Sequence, residues 1–591
     1  MINNSPTLLG TISAVSSSSI AVELASSVES GLLIFEGRNY RIGQVGSFVK
    51  IPIGYNQLYG VVSGSSESSH FDDEELLLAD RRWIKIELIG EMVGGEFERG
   101  ISEYPSIGND VHIVVESDLK KIFGTNLAGQ FQVGTLSSSD SINVSIDLDK
   151  LVTRHAALLG STGSGKSTST ASILRSIITK SSEVQLPSAR ILLIDIHGEY
   201  HAALDDIAKV FSVLPESQNQ LYVPYWCISP EMLIDFLCGG LNESQKTLYL
   251  DKTIQEREKL LEINNLQDFD PSKITGNTPL PYRIKKLWYD LLHEDTVTWN
   301  DAEMTTPSYL NNEIGDYEKL TAPQFKPPGA GSSLPKKGGT GGMKKQLDLM
   351  KSRLLDSQYS FLLDPGEWSP DKNGKIKKDL DSLIGEWLGH EKPITILDLS
   401  GMPSSRLSLL LGSILDIIFE SSIWGRNLES GMRARPLLLV LEEAHRYLAK
   451  SETGLAKTMI QRIAKEGRKF GVGALLVSQR PSEIDDTILS QCGTIIALRI
   501  NNATDRAIVK SAMSEGLAGI ADALPILRTG EAIIVGEAAK LPTRCKFNIL
   551  PEGKYPDSRD PTVTASWLKE RKEENYKDLI SAWRNQSINK V

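Results

Sequence analysis

The chain has 591 residues, of which 40% are apolar and 24% are charged, a composition typical of globular proteins. This length is too great for one hydrophobic core and predicts about two to four domains. The formal net charge of −11 excludes general coating of nucleic acid, although a local basic channel is compatible with it.

Residues 1–150 are expected to form a small β-barrel or sandwich. Short alternating runs such as SSIAVEL and GSFVKIPIG are separated by Gly, Ser, Asn and Asp. The N-terminal MINNSPTLLGTISAV has no basic segment, and no apolar run approaches the roughly 20 residues that a membrane span needs. Four scattered cysteines without a C-x-x-C pair favour reduced thiols. These features predict a soluble cytoplasmic protein without a membrane partner.

Residues 151–545 are expected to form an α/β domain. Apolar runs alternate with helical patterns, which is typical of a mostly parallel sheet that is covered on both faces. The runs are HAALL (155–159), ILLID (191–195), ITILDL (394–399), LLLVL (437–441), GALLVS (473–478), TIIAL (494–498) and AIIV (532–535).

Two segments depart from this pattern. At about 200–390 the strand signal gives way to polar, helix-like sequence, which indicates a helical insertion. Within it, the Pro/Gly/Ser/Lys-rich 325–345 predicts a loop, with a nucleic-acid contact as the alternative. Residues 546–591 end in a charged helical stretch that is either a brace against a neighbour or a tail.

The strongest motif is GSTGSGKS, a complete G-x-x-x-x-G-K-[ST]. It follows the apolar run HAALL and precedes the helical STASILRSIITK, and this order directs a helix N-terminus at a phosphate. Lys166 is predicted to reach the outer phosphates, and Ser167 to place its hydroxyl on Mg²⁺. The sequence therefore predicts binding of ATP or GTP, through Gly160, Ser161, Thr162, Gly163, Ser164, Gly165, Lys166, Ser167 and Thr168.

Three later strands end in an acid, at Asp195, Asp398 and the pair Glu442-Glu443. A nucleotide hydrolase uses one acid on the Mg²⁺ side and commonly a second group that orients the attacking water. Only the 437–441 strand offers two adjacent acids. We therefore expect Glu442 on the metal side and Glu443 as the catalytic acid that polarises water.

Histidine spacing argues against a zinc site. Glu442-Glu443-Ala444-His445 lacks the H-E-x-x-H spacing that places two histidines one helical turn apart. His197 and His201 have that interval, but the glutamate between them is misplaced and a glycine interrupts the helix. His445 is expected to pack or couple beside the site, without an assigned role.

Two further polar residues are candidates for the hydrolysis site. Gln479 ends the run GALLVSQ, where it can sense the γ-phosphate or hold water, or can be a surface turn residue before Pro481. Arg468 lies at a predicted helix C-terminus just before the same strand. It is either a solvated charge or an arginine that a ring ATPase donates to its neighbour's site.

Six blocks in this order, RHAALLGSTGSGKST, LLIDIHGEY, LDLSG, LLLVLEEAHRY, AKEGRKFGVG and LLVSQRPSEID, resemble the HerA family of the HerA/FtsK superfamily of hexameric ATPases. The resemblance covers about 150–545 apart from the insertion, and the β-rich N-terminal region is also similar to that family's barrel. It implies a RecA-like motor. Matched to the family's motifs, Lys166 and Ser167 are the Walker A pair, Glu443 the catalytic glutamate, Gln479 the sensor and Arg468 the arginine finger.

The resemblance also implies roles outside these motifs. Arg154 is a second candidate for the nucleotide site, with a structural strand-entry arginine as the alternative. Asp195, His197 and Glu199 match the family's D-x-H-G-E-Y block without a firm role. Glu442 stands where an aspartate is common, which leaves its contact with the metal in question.

The implied assembly is a homohexameric ring with ATP between subunits and double-stranded DNA in the pore. Its expected activity is ATP-dependent DNA translocation or unwinding. The resemblance further implies an effector partner, a nuclease or a sirtuin-like enzyme, in anti-phage defence. The alternatives are a nucleotide-gated scaffold that regulates such an effector, and DNA end processing with a nuclease.

Overall fold

The computed structural model describes residues 5–585 except 18, 29–31, 67–81, 124–128, 181–182, 215–216, 267–268, 329–341, 514–519, 559–562 and 569–575. The first part of the chain consists mainly of short strands. They are β1 (Leu8–Val15), β2 (Ser19–Leu24), β3 (Leu32–Phe35), β4 (Arg38–Arg41), β5 (Phe48–Ile53), β6 (Asn56–Ser66), β7 (Trp83–Val93), β8 (Glu96–Arg99) and β9 (Asp110–Ile113).

These strands form the barrel that the sequence predicts. Within the described residues, six of them follow the order β2-β1-β9-β5-β6-β7, and pairing of β2 with β7 closes the ring. Ile84 and Ile86 of β7 are fully buried, because alternate side chains of a barrel strand point into the interior. Arg99 at the end of β8 donates hydrogen bonds to the carbonyls of Lys540, Gly536 and Ala539, which ties the barrel to the rest of the chain.

The remaining strands include those of a large mixed sheet, the central sheet. They are β10 (Gln130–Leu136), β11 (Ser139–Asp147), β12 (Ala156–Leu159), β13 (Thr179–Lys180), β14 (Glu183–Val184), β15 (Arg190–Asp195), β16 (Ala208–Ser212), β17 (Ile394–Asp398), β18 (Leu437–Leu441), β19 (Val472–Ser478), β20 (Thr494–Ala497), β21 (Glu531–Gly536) and β22 (Thr543–Phe547).

The helices cover this sheet and connect its strands. They are α1 (Glu116–Phe123), α2 (Leu148–Thr153), α3 (Lys166–Ile178), α4 (His201–Leu204), α5 (Pro230–Cys238), α6 (Glu243–Asn264), α7 (Ile284–Thr296), α8 (Lys344–Leu355), α9 (Ser360–Leu363), α10 (Leu380–Leu388), α11 (Ser404–Trp424), α12 (Leu455–Phe470), α13 (Asp486–Leu489), α14 (Ala503–Ala512), α15 (Val563–Trp567) and α16 (Lys577–Asn585).

The central sheet has the order β11-β10-β22-β21-β20-β12-β19-β18-β15-β17-β16 in the described part of the chain. From β20 to β16 the neighbouring strands are parallel, and every residue of β12, β17, β18 and β19 is buried. Burial of whole strands follows from helices on both faces. The fold is therefore α/β, with a mostly parallel sheet and an N-terminal barrel, as the sequence predicts.

The sequence patterns missed strands at both edges of the sheet. At one edge, β16 (Ala208–Ser212) lies within the region expected to be a helical insertion, which therefore begins after this strand. All seven apolar runs form strands, but β21 runs antiparallel to β20, and β22, β10 and β11 extend this antiparallel edge. Gly134 of β10 fits against β22 because a side chain there would collide with the carbonyl of Lys546. The central sheet thus begins at Gln130, before the boundary expected at 150.

Helices α5–α10 lie between β16 and β17, in the region expected to be a helical insertion. They pack through buried aromatic side chains such as Trp226, Trp288 and Trp387. Of the predicted loop 325–345, residues 329–341 lie outside the described residues. In the segment expected to be a brace or tail, Asn548 accepts a hydrogen bond from Ser172 of α3 through its carbonyl, at 2.6 Å.

Helix α11 differs from the expectation that no apolar run approaches the length of a membrane span. Among the described residues, Arg406–Trp424 is long and apolar enough for one by length and composition. Buried residues make up 67% of that apolar window, because α11 packs against the sheet and against α12. Burial on several sides accounts for its apolar character.

Candidate nucleotide site

The phosphate loop joins β12 to α3 at the carboxyl edge of the central sheet. Gly165 has φ +88°, a left-handed backbone that favours glycine, and precedes the first turn of α3. At Gly160 a Cβ would lie 2.6 Å from Ser164 Oγ and 2.7 Å from Leu498 Cβ, so only glycine fits. The loop therefore directs the N-terminus of α3 at whatever anion it binds.

The ammonium group of Lys166 lies between the two acids that follow β18. Its Nζ is 2.5 Å from Glu443 Oε1 and 3.5 Å from Glu442 Oε1. All three side chains are buried. The other Glu442 oxygen, Oε2, accepts a hydrogen bond from the Tyr200 hydroxyl at 2.8 Å. The structure thus brings the predicted lysine and both predicted acids together at one point.

Burial and neighbouring charges shift the pKa values of Glu442, Glu443 and Lys166 in different directions. Burial raises the pKa of Glu442 to about 8, although the charge of Lys166 opposes this. Burial would also raise the pKa of Glu443, but the hydrogen bond with His445 and the charge of Lys166 outweigh it and lower this pKa to about 2. Burial would lower the pKa of Lys166, yet the two glutamates raise it. Glu443 is therefore the acid that stays charged.

His445 connects Glu443 to the end of β19. Its Nδ1 lies 3.2 Å from Glu443 Oε2 and 3.3 Å from Ser478 Oγ. Ser478 Oγ accepts the backbone N–H of Arg480 at 3.1 Å, in the turn that carries Gln479. Glu443 itself has φ 46° and ψ 46°, a left-handed backbone that is strained for a glutamate. His445 thus helps to hold Glu443 in a fixed orientation.

Gln479 lies against the phosphate loop. Its Oε1 accepts a hydrogen bond from Thr162 Oγ1 at 2.7 Å, and its side chain is half-buried. Leu159 of β12 pairs with Ser478 of β19, which places the residue after each strand side by side. The structure therefore brings Gln479 to the loop from the neighbouring strand.

The block DIHGEY folds into a tight turn after β15. The carboxylate of Asp195 accepts the backbone N–H groups of His197, Gly198 and Tyr200, at 3.2, 2.8 and 2.9 Å. Burial raises the pKa of Asp195, and those hydrogen bonds oppose the change. Glu199 then reaches the first turn of α3, where its Oε2 accepts a hydrogen bond from Ser167 Oγ at 3.0 Å.

Two protein-family profiles match the part of the chain that contains this site. The profile described as "Helicase HerA, central domain" matches residues 131–418, and the profile described as "Helicase HerA-like C-terminal" matches residues 417–551. Together they span the central sheet and the whole nucleotide site. The chain belongs to the HerA helicase family. It is a P-loop ATPase.

Curated HerA proteins match over most of their length. The chain is 29% identical over 482 residues to "DNA double-strand break repair helicase HerA" of Sulfolobus acidocaldarius, covering 81% of this chain and 80% of that protein. It is 25% identical to the Pyrococcus furiosus protein of the same name, covering 77% and 76%. Similar solved structures include VirB4 of Thermoanaerobacter pseudethanolicus, at 14% identity, 72% and 98% coverage and a TM-score of 0.45.

Two arginines predicted for this HerA-family site lie away from its own phosphate loop. Arg154 precedes β12 and Arg468 lies in the last turn of α12 before β19, so both are at the amino edge of the sheet. Arg154 Nε is 3.5 Å from Glu537 Oε2. Arg468 is exposed and has no ion-pair partner among the described residues. Neither completes the nucleotide site of its own chain, because phosphates bind at the opposite edge.

Arg499 is a residue of this HerA-family site that the sequence patterns missed. Its Nη2 donates a hydrogen bond to the carbonyl of Gly163 at 2.8 Å, and its own carbonyl accepts the N–H of Ser161. Its position after the run TIIAL is visible in the sequence, but the adjacency of β20 to β12 is not. Glu199 and Tyr200 belong to the D-x-H-G-E-Y block, but their contacts at the site were not predicted, since both residues reach it from a different loop.

The residues present fit ATP with Mg²⁺. The buried hydroxyl of Ser164 has no hydrogen-bond partner among the described residues, and a Cβ at Gly163 would meet nothing within 4 Å. These features suit a loop that wraps a phosphate chain. No group of three or more His, Cys, Asp or Glu residues in the described part could hold a metal ion.

Proposed function

We propose that this protein is an ATP-dependent DNA translocase or helicase that acts as a homohexameric ring. The observation that carries the proposal is the location of Arg468, exposed at the amino edge while the phosphate loop lies at the carboxyl edge. A ring places the amino edge of one subunit against the carboxyl edge of the next. Arg468 then reaches the neighbour's phosphates, and hydrolysis occurs at subunit interfaces.

The residues of one chain supply the rest of the reaction. Lys166 and the N–H groups of the loop hold the phosphates, and the hydroxyl of Ser167 would help to hold the Mg²⁺ that neutralises them. Glu443 accepts a hydrogen bond from the attacking water and polarises it, since its low pKa keeps it charged. Gln479 senses the outer phosphate from its position beside the loop, where its Oε1 lies 2.7 Å from Thr162 Oγ1.

Arg154 joins Arg468 in this proposal as a second group donated in trans. Both arginines lie at the same edge of the sheet. The ion pair of Arg154 with Glu537 is half-exposed, so breaking it to free Arg154 for another partner costs little free energy. The curated relatives are named DNA repair helicases, which supports DNA as the partner of this chain. Contacts in the ring's pore are with the phosphate backbone of double-stranded DNA, and they are therefore sensitive to salt and insensitive to sequence.

The test is stimulation of ATP turnover by DNA. Purified protein is expected to hydrolyse ATP faster with double-stranded DNA, to lose the stimulation as salt is raised, and to displace a strand or a bound protein block. Turnover that is unchanged by DNA, with no displacement in any salt, would refute the proposal. Sedimentation with and without ATP then tests the ring of six.

A second activity is regulation of a partner effector, a nuclease or a sirtuin-like enzyme, in anti-phage defence or in DNA end processing. Exposed apolar side chains on the barrel, at Tyr55, Tyr104 and Ile107, support it because they suit a docking face. In this alternative the ring is a nucleotide-gated scaffold. Affinity purification from the native cell that recovers no stoichiometric partner would refute it, and the product of the neighbouring gene is the first candidate to examine.

The compartment we propose is the cytoplasm. All four cysteines, Cys227, Cys238, Cys492 and Cys545, are free thiols, in keeping with a reducing environment. DNA is accessible there, and the membrane-like window of α11 is mostly buried in the fold.

A further inference from the structure

Glu199 and Ser167 make a contact that neither the motif nor the strand-end acids predict. Ser167 is the P-loop serine whose hydroxyl is expected on Mg²⁺, and its Oγ lies 3.0 Å from Glu199 Oε2. A serine that donates its proton to a carboxylate leaves its oxygen lone pairs free for a cation. The contact thus prepares Ser167 to act as a metal ligand.

The turn that carries Glu199 is fixed from within. Asp195 accepts three backbone N–H groups of this turn. Gly198 has φ +74°, and a Cβ there would lie 2.9 Å from Ser400 Oγ and 3.2 Å from Asp398 Oδ1. The backbone therefore has little freedom, and Glu199 projects towards α3 in one orientation.

The same turn is also held from outside by the C-terminal segment. The backbone N–H of Asp557 donates to the carbonyl of Glu199 at 2.8 Å. Upstream of it, the side chain of Lys554 forms an ion pair with Asp205, just after α4. Glu199 is therefore fixed through both its backbone and its side chain.

Glu442, the acid expected on the metal side, is engaged elsewhere. Its Oε2 accepts the Tyr200 hydroxyl at 2.8 Å, and its Oε1 faces Lys166 Nζ at 3.5 Å. The side chain is 2% exposed. Both oxygens are thus directed at protein groups, whereas Glu199 contacts Ser167 directly.

We propose that Glu199, and not Glu442, is the metal-side carboxylate of this site. The proposal rests on the ATPase site of the proposed function. Glu199 accepts a hydrogen bond from the Ser167 hydroxyl, and it would also accept hydrogen bonds from water bound to Mg²⁺. Mg²⁺ keeps several waters and uses one or two carboxylates together with phosphates, so one well-placed carboxylate is sufficient. Glu199 acts as a positioning residue, and Glu442 fixes Lys166 and Tyr200.

The test measures Mn²⁺ binding to the protein–ADP complex by electron paramagnetic resonance, with Mn²⁺ in place of Mg²⁺. Glu199→Gln keeps an acceptor for Ser167 but loses the charge, and we expect Mn²⁺ affinity to fall about tenfold or more. Glu442→Gln is expected to change Mn²⁺ affinity less than about twofold, because an amide keeps the contact with Tyr200. Glu552→Gln, an exposed acid of the C-terminal segment, is the matched control and should bind Mn²⁺ as the wild type does.

A second measurement separates metal binding from folding. ADP affinity in EDTA should be the same for Glu199→Gln and the wild type, since no metal takes part. A large loss of Mn²⁺ affinity in Glu442→Gln together with none in Glu199→Gln would overturn the assignment. The result is independent of DNA, so a wild type that binds Mn²⁺–ADP but shows no DNA-stimulated turnover would refute only the proposed translocase.

Discussion

At the scale of single residues, we expect substitutions at Lys166 and Glu443 to separate nucleotide binding from hydrolysis. Lys166→Ala removes the cation that holds the phosphates, and we expect ATP affinity to fall at least about tenfold. Glu443→Gln keeps the shape but loses the charge that polarises water, so ATP should bind normally while turnover falls at least about a hundredfold. Equilibrium binding of a fluorescent ATP analogue and steady-state phosphate release measure the two effects. Normal turnover in Glu443→Gln would contradict the assignment.

Glu442 gives the site a dependence of stability on pH. Its pKa is about 8 in the fold against an ordinary value of 4.5, so between these values the folded chain binds more protons than the unfolded chain. The stability it contributes is complete below pH 4.5 and is lost as pH rises through 8. Glu442→Gln cannot titrate, and we expect the fall in Tm between pH 5 and 8 to be shallower than in the wild type.

Differential scanning fluorimetry without nucleotide, in buffers of matched ionic strength, measures this difference. Glu552→Gln, which replaces an exposed acid of the C-terminal segment, is the control. Its slope between pH 5 and 8 should match that of the wild type. Equal slopes for Glu442→Gln and the wild type would show that Glu442 does not retain its proton in the fold.

At the scale of elements, the C-terminal segment after β22 positions the turn that carries Glu199. Asp557→Pro removes the N–H that donates to the Glu199 carbonyl, whereas Asp557→Ala keeps it. We therefore expect Mn²⁺ affinity of the ADP complex to fall a few-fold in the proline variant only. The paired alanine variant controls for the lost carboxylate. Equal affinities in both variants would exclude a role for this contact.

Helices α11 and α12 pack closely through Gly412. A Cβ there would collide with the side chain of Leu455, so Gly412→Ala should lower the free energy of unfolding by about 1–3 kcal/mol. Gly385 of α10 is exposed, and a Cβ there would meet nothing within 4 Å. Gly385→Ala should therefore raise the free energy of unfolding by up to about 1 kcal/mol. Denaturant unfolding measures both, and the same sign for both would contradict the packing argument.

The sequence predicts individual strands better than it predicts which strands and loops lie side by side in the fold. Continuous apolar runs identified seven of the strands from β12 to β21, because full burial removes the alternation seen in half-buried strands. Polar β10, β11 and β22 gave no such signal, so the antiparallel edge was missed. At the site, Lys166 and Glu443 follow from local motifs, whereas the contact of Glu199 with Ser167 depends on the spatial position of a distant loop.

At the scale of the whole molecule, the residues proposed for hydrolysis lie at two opposite edges of the central sheet. The phosphate loop, Glu443 and Gln479 lie at the carboxyl edge, and Arg154 and Arg468 lie at the amino edge. Neither Arg154 nor Arg468 therefore lies at the phosphate loop of its own chain. In the proposed ring, the neighbouring subunit would supply the positive charge of these arginines, and hydrolysis in one subunit would depend on the position of the next.

This division predicts complementation between inactive variants. Arg468→Ala and Lys166→Ala should each lose most turnover, while an equal mixture of the two regains some. A working interface pairs an intact Lys166 on one subunit with an intact Arg468 on its neighbour, and random mixing gives this at about a quarter of the interfaces. Mixed rings should therefore approach a quarter of wild-type phosphate release when their interfaces act independently.

A mixture of Lys166→Ala with Glu443→Gln is the matched control. Both residues act within one chain, since Lys166 Nζ lies 2.5 Å from Glu443 Oε1, so every interface of a mixed ring keeps one defect. This mixture should stay inactive at all ratios. Recovery in the first mixture alone identifies Arg468 as a group donated in trans, because a purely structural role would leave each Arg468→Ala subunit defective beside any neighbour. Inactivity of both mixtures, with mixed rings confirmed by mass, would instead assign Arg468 to its own chain.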